Sequence, residues 1–149
     1  MASTVETAPP RHVRSATMLA SSELVAFVPT TDLSRARAFY EGVLGLRFVE
    51  ENPIACVFDA DGTTLRVTLL DAVFSPAPYT VLGWVVADVA ATVADLTDVG
   101  VTTQRFEGMA QDDAGVWTAP GGARVAWFKD PDGNVLSVTQ LGAATSAPS

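Results

Sequence analysis

Arg66, set between Thr64 and Thr68, is the residue best equipped for recognition chemistry. A guanidinium keeps its charge at any working pH and offers a planar fork of donors to a carboxylate or phosphate. Alternation along 63–70 puts Leu65, Val67 and Leu69 on one face of a strand and Thr64, Arg66 and Thr68 on the other. The apolar set suits a covered face, which leaves Arg66 for a pocket or for open solvent. Trp84, Trp117 and Trp127 can stack on a flat ligand or simply pack in the core. Trp117 follows the polar loop 111–115 and is expected to act as a lid. Phe58, Cys56 and Ser137 complete the candidate pocket. Cys56 alternates with Ile54 and Phe58, and with no histidine nearby its thiol is expected to be inert. Asp112, Asp113, Glu107 and Asp59 carry the chemistry of a general base, and equally that of solvated surface carboxylates.

Composition removes several classes of function. The chain has 149 residues, 48% of them hydrophobic and 17% charged, enough for one domain with a buried core. Nine Lys and Arg stand against seventeen Asp and Glu, for a net charge of −8. Such a chain repels a phosphate backbone, so a nucleic-acid partner is not expected. The single cysteine excludes an internal disulfide, and the single histidine, His12, excludes a multi-histidine metal site within one chain. No apolar run approaches the roughly 20 residues of a membrane span, and the first 22 residues lack a signal-peptide core. A cytoplasmic protein is expected. Richness in Ala, Val, Gly and Arg beside one lysine, Lys129, suggests a GC-rich bacterial genome.

Two helices and a set of strands must position these residues. Helices are predicted over 32–45 and 88–100, each opened by an N-capping aspartate (Asp32, Asp88) and closed by a glycine (Gly45, Gly100). Strands are predicted at 24–28, 46–51, 54–59, 63–70, 80–86, 103–107, 124–128 and 135–141, with a short extra one possible at 115–118. Asp61-Gly62 and 130–134 are the strongest turns. The order is β-α-β-β-β twice, with the capping aspartates offset by 56 residues. One α+β domain is expected over 23–141, in two modules (23–71 and 79–141), between flexible tails 1–22 and 142–149.

Three stretches carry a family resemblance. Asp32-Leu33 with Phe39-Tyr40 and Val43-Leu44-Gly45-Leu46 is one; Val86-Ala87-Asp88-Val89 is the second; Phe128-Lys129-Asp130-Pro131-Asp132-Gly133-Asn134 is the third. With the doubled order, the chain resembles the vicinal oxygen chelate superfamily of glyoxalases, bleomycin-resistance proteins and extradiol dioxygenases. The resemblance implies two βαβββ modules forming a pseudo-symmetric curled-sheet cup, with helices on the convex face and a pocket between the concave faces. Metal-dependent members place four His, Gln or Glu ligands there. The matching positions here are Val25 (or Glu23), Arg66, Val81 (or Leu82) and Ser137, so neither metal nor other cofactor is expected. A homodimer is also implied, the open sheet edges inviting pairing.

Two functions follow. The first is a metal-independent small-molecule-binding protein, sequestering a drug or metabolite. The second is a metal-independent isomerase, lyase or cyclase, with Asp112 or Glu107 working beside Arg66 as oxyanion anchor.

Overall fold

The computed structural model describes residues 18–71 and 73–142. His12 and most of both expected tails lie outside them. The first module runs β1 (Val25–Thr30), α1 (Leu33–Arg37), a π-helical segment (Ala38–Val43), β2 (Arg47–Asn52), β3 (Ala55–Ala60) and β4 (Thr63–Leu69). The second runs β5 (Thr80–Val85), α2 (Val89–Asp98), β6 (Trp117–Thr118), β7 (Arg124–Lys129) and β8 (Val135–Gln140). Each module is a four-stranded sheet, ordered β1-β4-β3-β2 and β5-β8-β7-β6, whose first strand pairs in parallel with its last.

Both helices start as their capping residues dictate. Asp32 accepts from the Arg35 amide and Asp88 from the Ala91 amide, each at 3.1 Å. Gly45 and Gly100 take φ of 78° and 89°, which lets the chain leave each helix. The first helix departs from expectation after Arg37. It widens into a π-turn, with the Leu44 amide donating to Phe39 O at 2.9 Å. Phe39 and Tyr40, adjacent in sequence, are both buried on this wider turn.

The strand expected at 103–107 is absent. The Gln111 side chain takes its place: its amide nitrogen donates to Gln104 O and Gly115 O, and its oxygen accepts from the Phe106 amide. A side chain thus satisfies backbone groups that a ladder would otherwise use. The outer strand of the second sheet is β6 instead, paired with β7 through Trp117–Val125 and Thr118–Arg124.

Alternation sorts each sheet into two faces. Val28, Cys56, Phe58, Leu65 and Val67 lie under the first helix, and Ala126, Phe128, Leu136 and Val138 under α2, in one continuous core. The sheets remain open, with their edge strands β1 and β5 as neighbours.

The turn between β7 and β8 bolts the second module to the first. Asp130 accepts from the Tyr40 hydroxyl at 2.7 Å, from Asn134 Nδ2 at 2.8 Å and from the Asp132 and Asn134 amides. Asn134 Nδ2 also donates to Pro29 O. Asp132 accepts from Thr30 Oγ1, from the amide and hydroxyl of Thr31, and from Arg35 at 2.8 Å. Burial alone would raise the Asp132 pKa; these donors and the Arg35 charge outweigh it and hold the carboxyl below its ordinary range. Its stabilising contribution is therefore complete above the unfolded value of about 4 and disappears as pH falls through the lower folded value. The expected result is a stability gap between the wild type and Asp132→Asn that is constant from pH 6 to 8 and narrows below about pH 4. Denaturant titrations across that range check it, and a gap that widens in acid contradicts the assignment.

Candidate ligand-binding site

The faces turned away from the helices form the candidate site. On the first sheet, Phe27 of β1, Arg66 of β4 and Val57 of β3 are ladder partners, and paired residues share a face. That face is opposite Leu65 and Val67, so Arg66 lies on the side away from the helix. Arg66 is partly buried and makes no side-chain hydrogen bond or ion pair with any of the described residues. Asp59, also on this face, pairs with Arg47 at 3.6 Å. Thr68, two residues along β4, holds a buried hydroxyl oxygen without a hydrogen-bond partner. Phe27 is 60% exposed, unusual for a phenylalanine in an edge strand that adjoins a second sheet.

On the second sheet the matching face is aromatic. Trp127 of β7 is the ladder partner of Ser137 on β8, and Ser137 of Gly83 on β5. The Trp127 ring stands 6.2 Å from that of Trp117 and meets Phe106 edge-on at 5.3 Å. Its indole N–H donates to Thr80 Oγ1 at 3.0 Å, which fixes the ring's tilt. Pro78, Tyr79, Met109 and Val135 surround an opening beside Trp127. A Cβ at Gly83 would stand 2.5 Å from Ser137 Oγ, so any larger residue there would force the Ser137 hydroxyl to turn away.

The structure thus places Arg66, Trp117, Trp127 and Ser137 on the helix-free faces. It places three other candidates elsewhere. Cys56 and Phe58 are fully buried under the first helix, where the thiol donates to Leu33 O at 3.7 Å and Phe58 packs on Tyr40 and Phe48. Burial pushes the Cys56 thiol up to about 11, so it is protonated at neutral pH. Trp84 pairs with Val138 and stacks on Phe128 at 6.4 Å, on the core side. Trp117 belongs to strand β6 rather than to a lid loop. Asp112 is engaged by the Ala114 and Val116 amides and by Arg124 at 3.8 Å, and organises its own loop. Phe106 and Thr80 are wall residues without a sequence signal, since each sits beside Trp127 only through tertiary contact.

The positions matched to metal ligands carry a poor donor set. Val25 and Arg66 lie on the helix-free face of the first sheet and Ser137 on that of the second, but Leu82 lies on the core side. Of Val25 (or Glu23), Arg66, Val81 (or Leu82) and Ser137, only Glu23 offers a carboxylate and none an imidazole; Glu23 is exposed, and Arg66 carries a fixed positive charge. Among the described residues no cluster of three or more His, Cys, Asp or Glu could hold a metal ion. This donor set does not fit a divalent cation.

Residues 21–138 match the model of the Glyoxalase/Bleomycin resistance protein/Dioxygenase superfamily, and the chain belongs to it. TnmS3, an antibiotic binding protein from Streptomyces sp. CB03234, is 25% identical, with 80% of this chain and 95% of that chain covered at a TM-score of 0.62. A superfamily member from Sphaerobacter thermophilus DSM 20745 is 24% identical, covering 81% and 98% at 0.64. TioX from Micromonospora sp. ML1 is 20% identical, covering 80% and 98% at 0.62. No curated protein matches the chain. No helix among the described residues is long and apolar enough to cross a membrane.

Proposed function

We propose that the protein binds a flat, largely apolar small molecule between its helix-free faces, without a metal, and sequesters it. The observation that carries this reading is the half-buried aromatic wall of Trp127, Trp117 and Phe106 on the helix-free face. Rings with faces left open toward a concave surface supply stacking area that the core does not use. The antibiotic-binding relative supports the same use of the fold. Sequestration is favoured over catalysis because, of the candidate bases, Asp112 and Asp59 are engaged by neighbours and Asp113 and Glu107 are exposed to solvent. A cytoplasmic homodimer completes the proposal, the dimer supported by the outer edge of β2, which pairs with no further strand among the described residues.

Titration with planar aromatic compounds tests it, read by tryptophan fluorescence and by thermal shift, with and without a chelator. Quenching and a rise in Tm are expected, unchanged by the chelator. A ligand at 100 times its Kd adds about 2.7 kcal/mol. Binding that needs an added divalent ion contradicts the reading, and a solution mass of one chain contradicts the dimer.

A further inference from the structure

We infer that the ligand is an aromatic anion whose carboxylate, or equivalent oxyanion, is gripped by Arg66. The inference rests on the binding reading above and names the chemistry of its second wall. Three observations carry it. Arg66 is a permanent cation, partly buried, with no side-chain partner among the described residues. The nearest carboxylate on its own face, Asp59, is committed to Arg47, and Glu50 lies two strands away, beyond Val57. The Thr68 hydroxyl, on the same strand face, is also without a partner, so the wall carries hydrogen-bonding capacity that the chain leaves unused.

A desolvated guanidinium without a counter-charge is costly, and a carboxylate that docks in two parallel N–H···O bonds removes that cost. Phe27, the ladder partner of Arg66, is largely exposed and offers the ring beside the charge an apolar surface. Across the seam of β1 and β5, beyond Gly83 of β5 and Ser137 of β8 on the same face, stands the tryptophan wall. The site therefore has one charged side and one aromatic side, and it is complementary to a molecule with the same polarity. The net charge of −8 opposes an anion only weakly, because charges farther away than a Debye length of about 8 Å are largely screened at physiological salt.

The probes are 2-naphthoate and 1-pyrenecarboxylate, each beside its neutral carboxamide, with 2-naphthylmethylammonium as the opposite charge. Affinities are measured by calorimetry at pH 7.5 for the wild type and Arg66→Leu. The acids are expected to bind the wild type about 10- to 100-fold more tightly than their amides. In Arg66→Leu that preference should fall to near one, and the ligand-free Tm should not fall. Equal binding of acid and amide by the wild type overturns the anion assignment alone, as does a preference that survives in Arg66→Leu or tighter binding of the ammonium compound. Failure of every probe to bind, with tryptophan fluorescence unmoved, overturns the aromatic-wall reading and this inference with it.

Discussion

Replacing Asp130 by alanine is expected to destabilise the fold by about 3–5 kcal/mol, a drop in Tm on the order of 10 °C. Asp130 is 6% exposed, and its two oxygens accept from Tyr40, Asn134 and two amides. Removing them strands several buried donors at once, and each unsatisfied group costs about 1–3 kcal/mol. The Tyr40 hydroxyl is a fixed donor here. Burial first, and then the charge of Asp130, push its pKa far above the ordinary tyrosine value. Tyr40→Phe keeps the ring against Phe39 and Phe58 and should cost only about 1–2 kcal/mol. Chemical denaturation of both variants measures the difference. An Asp130→Ala protein within 1 kcal/mol of the wild type would mean that the turn bears little of the load between modules, by the scale of one ordinary hydrogen bond.

Trp127→Ala should weaken binding of an aromatic ligand about 300-fold. Stacking against the ring removes roughly 100 Å² of apolar surface from water, and the ring–ring geometry adds about 1 kcal/mol. The loss of stability should stay below the 3–5 kcal/mol typical of a fully buried tryptophan, because Trp127 is only partly buried. Trp84→Ala is the counterpart. Its ring, also only partly buried, stacks on the core residue Phe128 on the opposite face of the sheet, so that variant should lose stability and keep its ligand affinity. Isothermal titration and thermal melts on the two proteins separate the roles. If Trp84→Ala loses affinity and Trp127→Ala keeps it, the binding face has been assigned to the wrong side of the second sheet.

Local signals were legible in the sequence and tertiary ones were not. Asp32 and Asp88 cap their helices because a short acceptor facing the third amide on is a property of four consecutive residues. The alternation around Arg66 was readable because threonine and leucine differ sharply in polarity. The same method fails on β3 and β5. Ala55-Cys56-Val57-Phe58 and Val81-Leu82-Gly83-Trp84-Val85 are nearly apolar on both faces, so no periodicity says which side Cys56, Phe58 or Trp84 takes. Gln111 has no local mark of its role, since its side chain serves backbone groups four to seven residues away. The bond from Tyr40 to Asp130 spans 90 residues and is invisible to any window of neighbours. The match of residues 21–138 to the superfamily model accords with the resemblance carried by the doubled order and the 130–134 turn.

The doubling of the chain is imperfect at the seam. With the offset of 56, the counterpart of Tyr40 is Leu96 and that of Thr30 is Val86. One end of the seam is therefore tied by Tyr40, Asp130, Asn134 and Thr30 through directional bonds. The crevice lined by Leu44, Leu46, Trp84, Val86, Leu96 and Phe128, with Thr92 also on its wall, is mostly apolar. Hydrogen bonds fix distance and angle, whereas apolar contact tolerates sliding. Any pivoting of one sheet against the other accordingly has its hinge at the Asp130 turn and its play at Leu96, like a door hung on one side only.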